Sequence, residues 1–217
     1  MIAERATMPS VIVDELETLI ARARELAARG PRTILGVAGP PGGGKSTLAD
    51  AMVAALGDSA VLLPMDGFHL AQPELVRQGI RDVMGAPHTF DALGYVALLK
   101  RLRTADETVY APAFRREIEE PIAGAIAVPP EVPLVVTEGN YLLVDDDGWG
   151  AVRGLLDEAW YVDMDEATRV EWLIARHVAF GKTPAEAEAW VMRSDQANAA
   201  VVAATRDRAD VVVRLAL

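Results

Sequence analysis

Apolar positions along this chain follow two periods. Between residues 10 and 29, Leu16, Leu19, Ile20, Ala23, Leu26 and Ala27 recur at steps of three and four, and Gly30-Pro31 follows. That spacing predicts one N-terminal amphipathic helix within residues 1–30. Residues 33–38 (TILGVA) form a short continuous apolar run, the pattern of a strand covered on both faces. A glycine-rich loop comes next, then a helix over 46–56 closed by Gly57. Further strands are predicted at 60–65, 134–137, 159–164 and 210–215. Asp91 caps a helix running to about residue 103, and Asp165 opens one reaching about residue 180. Thr183-Pro184-Ala185-Glu186 has the spacing of a capping box with proline at the first helical position, so another helix starts there. Residues 121–133 (PIAGAIAVPPEVP) read as an irregular connection.

Strands that alternate with helices and are apolar on both faces imply an α/β fold. The expected core is a parallel sheet of about five strands, with helices on both faces, in a single domain over 1–217.

Composition narrows the chemistry. The 21 Lys+Arg against 32 Asp+Glu leave a net charge of −11, unsuited to general binding of a phosphate backbone, so nucleic acid is not an expected partner. Cysteine is absent, which excludes disulfides, thiol catalysis and thiolate metal sites. Residues 1–5 (MIAER) lack the basic-then-apolar pattern of a signal peptide, and no apolar stretch approaches the roughly 18 residues of a membrane span. A cytoplasmic protein with no membrane partner is expected; a homodimer stays compatible with the sequence.

The strongest motif is Gly39-Pro40-Pro41-Gly42-Gly43-Gly44-Lys45-Ser46, which fits G-x-x-x-x-G-K-[ST] between a predicted strand and a predicted helix. Glycines let successive N–H groups converge on one anion, and the helix N-terminus adds partial positive charge. ATP is therefore the expected ligand, held by Gly39, Gly42, Gly43, Gly44, Lys45, Ser46 and Thr47. Lys45 would reach the β- and γ-phosphates and the Ser46 hydroxyl would ligate Mg²⁺. Lysine occurs only at 45, 100 and 182, which makes its place in the motif more telling. No [NT]-K-x-D pattern reads guanine. Asp147-Gly148-Trp149-Gly150 matches D-x-x-G but trails its strand, and residues 135–139 (VVTEG) end in Glu alone. Switch and motor ATPases are thereby demoted.

The strand after the loop helix leads into Met65-Asp66-Gly67-Phe68-His69. Carboxyl ends of parallel strands line the ligand crevice, which puts Asp66 near the γ-phosphate. A carboxylate there has a use if it takes the proton of an attacking hydroxyl. His69 beside it suits hydrogen bonding to a polyol or ribose. Arg115 and Arg116 face Glu117, Glu119 and Glu120, either as a surface salt-bridge cluster or as a substrate clamp.

The loop followed by Asp-x-Phe-His resembles the small-molecule kinases of the uridine kinase, phosphoribulokinase and bacterial pantothenate kinase group, and the sub-type nearest in pattern is the nucleoside/nucleotide or fructose-transport-associated kinase. The resemblance extends through residues 85–91 (GAPHTFD), 109–114 (VYAPAF), 135–141 (VVTEGNY), 169–182 and 206–210 (RDRAD). It implies the P-loop NTPase fold with a small helical lid over about 169–183, bearing Arg176 as a cation that closes on the phosphates. It also implies Tyr110 in an acceptor-site stretch, Glu138 at the Mg²⁺ and active-site position, and Arg206 on the nucleotide side. The activity implied is transfer of the γ-phosphoryl group of ATP to a hydroxyl of a small molecule, most readily a sugar or nucleoside. A nucleotide-binding regulator or assembly factor with slow ATPase activity is the alternative from another class.

Overall fold

The computed structural model describes residues 11–13, 15–146 and 148–214. Residues 10 and 14 of the predicted N-terminal helix, Asp147 of the D-x-x-G segment and residue 215 of the last predicted strand lie outside them. Six strands form one parallel sheet: β1 (Val11–Val13), β2 (Thr33–Ala38), β3 (Ala60–Pro64), β6 (Leu134–Gly139), β7 (Glu158–Val162) and β8 (Val211–Val213). A separate antiparallel pair, β4 (Val109–Arg115) and β5 (Glu120–Val128), stands beside it. The sheet order is β1-β8-β7-β2-β6-β3, so β2 is central and the chain crosses to either side of it.

Alternation along the central strand builds two cores. Ile34 and Ala38 face one side, with Leu63, Val135 and Tyr161, and meet Tyr95, Val96, Leu99 and Leu102 of helix α4 (Ala92–Leu102). Leu35 and Val37 face the other side, with Val136, Trp160 and Val162. That side is covered by α1 (Leu16–Ala27) through Leu19, Ala23 and Leu26, and by α2 (Lys45–Leu56) through Leu48 and Met52. The α/β class and the helices on both faces are as the sequence implies. Asp91 accepts the Gly94 N–H, and Thr183 closes its capping box with Glu186.

Two expectations need correction. Val11-Ile12-Val13, inside the span read as helix, instead pairs in register with Val211–Val213 and adds an edge strand to the five read from the sequence. Helix α1 begins only at Leu16. The run 121–133 is not wholly irregular either, since most of it is strand β5. A two-stranded ribbon is held mainly by its backbone ladder, so β5 lacks the buried pattern that betrays a core strand. No helix among the described residues is long and apolar enough to cross a membrane.

α3 (Gln72–Gln78) lies between α2 and α4, and α5 (Glu166–Ala179), α6 (Pro184–Trp190) and α7 (Gln196–Ala203) follow β7. A single π-turn, Val191–Asp195, separates α6 from α7.

Candidate active site

Register brings the site together. Pro64 of β3 pairs with Glu138 of β6, which in turn pairs with Val37 of β2, so the chain leaves all three strands at one edge. From β2 it enters the glycine loop. Gly39, Gly42 and Gly44 have φ of +152°, +74° and +83°, a region open mainly to glycine, and the curl they allow leads into α2. No side chain caps the first turn of α2, so its N–H groups stay available to an anion. Lys45 is only 7% exposed, and its ammonium donates to Pro40 O at 2.9 Å.

β3 ends at Pro64 and passes into a 3-10 turn, Met65–Phe68, that carries Asp66. The ribbon packs directly over this turn: a Cβ on Gly67 would stand 2.3 Å from Pro112 O. Asp66 forms an ion pair with Arg116 at 3.0 Å. Val109 and Ala111 face the core, and between Ala111 and Ala113 the pairing slips by two residues of β5, from Ile126 to Ile122. Beyond the slip Phe114 lines the site, Arg115 is exposed, and Arg116, the first residue of the turn after β4, lines the site as well. Tyr110, before the shift, is 60% exposed.

Two adjoining cavities result. One, of about 360 Å³, is bounded by residues 42–47 of the loop with Arg116, Trp172 and Arg176. The other, of about 380 Å³, holds Asp66, His69 and Glu138 at its inner end and reaches out to α6 and α7. Gly42, Lys45, Ser46, Arg116 and Arg176 border both. His69 stacks on Phe90 with ring centroids 3.9 Å apart and lies 4.8 Å from Phe114. Burial pulls its pKa down to about 4, so the ring is neutral, and its Nδ1 is buried without a hydrogen-bond partner among the described residues.

Electrostatics at the junction are tightly linked. Burial raises the pKa of Glu138, helped by the nearby Asp66 carboxylate and opposed by Lys45 and a hydrogen bond from Ser46. Burial lowers that of Lys45 to about 8 against the pull of Glu138 and Asp66. Arg176 is lowered by burial and by the neighbouring Arg116. Among the described residues there is no cluster of three or more His, Cys, Asp or Glu side chains fit to hold a metal alone. The donors at the loop mouth are oxygens in contact, Ser46 and Glu138, with Asp66 close by. That set fits Mg²⁺, which takes one or two protein ligands and completes its shell with water and phosphate oxygens.

The sequence profile of the Phosphoribulokinase / Uridine kinase family matches residues 34–216. This chain belongs to that family. It is therefore a phosphotransferase with a hydroxyl acceptor, of a family that binds ATP. A Schizosaccharomyces pombe protein described as a candidate uridine kinase is 34% identical over 194 residues, covering 85% of this chain and 82% of its own. A crystal structure from Silicibacter sp. TM1040, described as a candidate fructose transport system kinase, superposes with a TM-score of 0.84 at 35% identity, covering 92% of this chain and 99% of that one. Phosphoribulokinase from Rhodobacter spheroides shares the fold at 14% identity and TM-score 0.61, over 85% of this chain and 71% of its own. Membership in a kinase family removes the regulator alternative.

Within this kinase the structure gathers Lys45, Ser46, Asp66, His69, Glu138 and Arg176 around one junction. It leaves Tyr110 and Arg115 outside both cavities, each on the exposed side of β4. Arg206 also lines neither; it pairs with Asp163 at 3.2 Å behind β7. Arg169, one face of α5 with Arg176, is buried and donates to Pro41 O at 3.2 Å and to the Gln196 side chain. It ties α5 and α7 to the glycine loop. Arg169→Ala is expected to cost about 2–3 kcal/mol of folding stability, the scale of hydrogen bonds from a buried charged group. Unchanged denaturant unfolding would remove Arg169 from that role.

The sequence leaves Arg115 and Arg116 open between a surface cluster and a substrate clamp, and gives Asp195 and Asn198 no place; both of the latter line the outer cavity. The π-turn that directs these last two has no sequence signature of its own.

Proposed function

We propose that this kinase transfers the γ-phosphoryl group of ATP to a hydroxyl of a sugar or nucleoside held in the outer cavity. One observation carries the reading: two cavities of similar size, one on the glycine loop and one on Asp66, share Lys45, Ser46, Arg116 and Arg176 as their common wall. Donor and acceptor placed one in each would meet there, which is the positioning that phosphoryl transfer demands.

Backbone N–H groups of residues 42–46 bind the phosphates, and Lys45 exchanges its contact with Pro40 O for one with phosphate oxygens. Ser46 and Glu138 would hold Mg²⁺, which when bound neutralises phosphate charge. Arg116 is ion-paired with Asp66. Phosphate in the adjoining cavity competes for that guanidinium and frees the carboxylate. Asp66 then accepts the proton of the acceptor hydroxyl as its oxygen bonds to phosphorus and the bond to the ADP oxygen breaks. Arg176, on α5 over residues read as a lid, offsets charge on the transferred group. His69, neutral and lining the cavity, orients a second hydroxyl.

The test is ADP release from Mg²⁺·ATP with free sugars, sugar alcohols, nucleosides and pantothenate as acceptors. One acceptor is expected to stimulate release, with a phosphorylated product by mass spectrometry. ADP release with no dependence on any sugar or nucleoside would overturn the reading.

A further inference from the structure

The phosphate cavity has two ends, and one of them carries an aromatic ring. Gly42, Lys45, Ser46, Arg116 and Arg176 border the outer cavity as well, whereas Gly43, Gly44, Thr47 and Trp172 line the phosphate cavity alone. A phosphoryl group passing to the outer cavity leaves through the shared wall. Whatever the phosphate chain is attached to therefore extends the other way, toward Thr47 and Trp172.

Trp172 differs from the other tryptophans. Trp149 and Trp160 are fully buried, and Lys182 and Arg193 lie over the Trp190 ring, 5.0 Å and 5.5 Å from its centroid. Trp172 is 42% exposed, and its ring meets no other ring and no cation among the described residues. An indole face left open in a cavity otherwise bounded by glycines, hydroxyls and cations is available to a flat ring.

Helix α5 holds that face in place. Arg169, three residues earlier, donates to Pro41 O at 3.2 Å. Leu173 packs so closely on the loop that a Cβ on Gly42 would stand 2.6 Å from its Cγ. Trp172 and Arg176 lie one turn apart on the same side of the helix. One docked element thus offers a cation at the shared wall and an aromatic plane at the far end. Charge agrees with this division. The charged lining of the phosphate cavity is Lys45, Arg116 and Arg176, which suits a polyphosphate chain, while Asp66 and Glu138 line the outer cavity.

We propose that Trp172 is the platform on which the base of the phosphoryl donor stacks, and that this ring is what makes the protein prefer a nucleoside triphosphate to a bare polyphosphate. This rests on the reading of the glycine loop as the donor site and needs no assumption about the acceptor. Stacking uses the π-face that every base possesses, so it selects for a base as such and leaves the phosphates to the loop.

The test is calorimetry of the full chain with two probes in the presence of Mg²⁺, a non-hydrolysable ATP analogue and inorganic tripolyphosphate. Trp172→Ala is expected to weaken the analogue by about 5- to 150-fold, the range for a base stacked on an aromatic side chain, and to leave tripolyphosphate within about twofold of wild type. Trp172→Phe, which keeps a ring, should restore most of the lost affinity. Tryptophan emission of the wild-type protein should change with the analogue and not with tripolyphosphate, and that difference should vanish in Trp172→Phe. A wild-type melting temperature in both variants confines the comparison to folded protein. Unchanged affinity for the analogue in Trp172→Ala overturns the proposal, as does an equal loss for both probes. Binding of neither probe by the wild-type protein overturns the donor-site reading, and this proposal with it.

Discussion

Asp66→Asn is expected to bind Mg²⁺·ATP as wild type does and to lose about 10²–10⁴ in kcat, the usual contribution of a positioned general base. The expectation comes from where the carboxylate stands. It sits on a turn fixed from two sides, by β3 below and by the ribbon that packs onto Gly67 above, so the amide will occupy the same place. It shares an ion pair with Arg116, which the amide cannot match, and Arg116 borders the phosphate cavity. Nucleotide affinity should thus hold or rise slightly as that guanidinium is released. Turnover should fall because Asn cannot take the hydroxyl proton. Steady-state kinetics with the acceptor found in the ADP-release assay, together with calorimetry of nucleotide binding, separates the two quantities. A variant with near-normal kcat would remove Asp66 from proton transfer.

Lys45→Ala acts on the other cavity. Its ammonium is the most buried cation of the loop and is held against Pro40 O and near Glu138. Truncating one member of a buried charge contact costs about 2–5 kcal/mol, a loss of roughly 30- to several-thousand-fold in affinity for Mg²⁺·ATP. The pH dependence has a definite sign. Burial lowers Lys45 to about 8, and phosphate binds the charged form. Affinity should therefore be level below about pH 8 and fall as pH rises through it, by at most about tenfold per unit. The alkaline limb should vanish in Lys45→Ala. Calorimetric titrations between about pH 7 and pH 9.5 read both effects. Unchanged ATP affinity in the variant would contradict the assignment of the loop.

The glycine loop, Asp66 and the pairing of buried strands with covering helices are all legible in the linear chain, and for one reason. Each depends on local patterns: apolar runs of strand length, glycine where φ must be positive, and a carboxylate directly after a strand whose end must lie at the crevice. The N-terminal strand was hidden because three residues pairing at a sheet edge leave no periodicity to read, while the helix after them dominates the window. The ribbon was hidden because backbone pairing, not burial, forms it.

The amino-acid order alone determined the α/β class, the nucleotide loop and the phosphotransfer chemistry. Tertiary structure decided which side chains share the acceptor cavity. The turn after β4 brings Arg116 to Asp66 while Arg115 stays exposed, and the π-turn before α7 sets Asp195 and Asn198 on the wall of the cavity that His69 also lines, more than a hundred residues away in the chain. Residue spacing carries the period of an element, but where a turn or a π-turn interrupts that period is fixed by what packs against it.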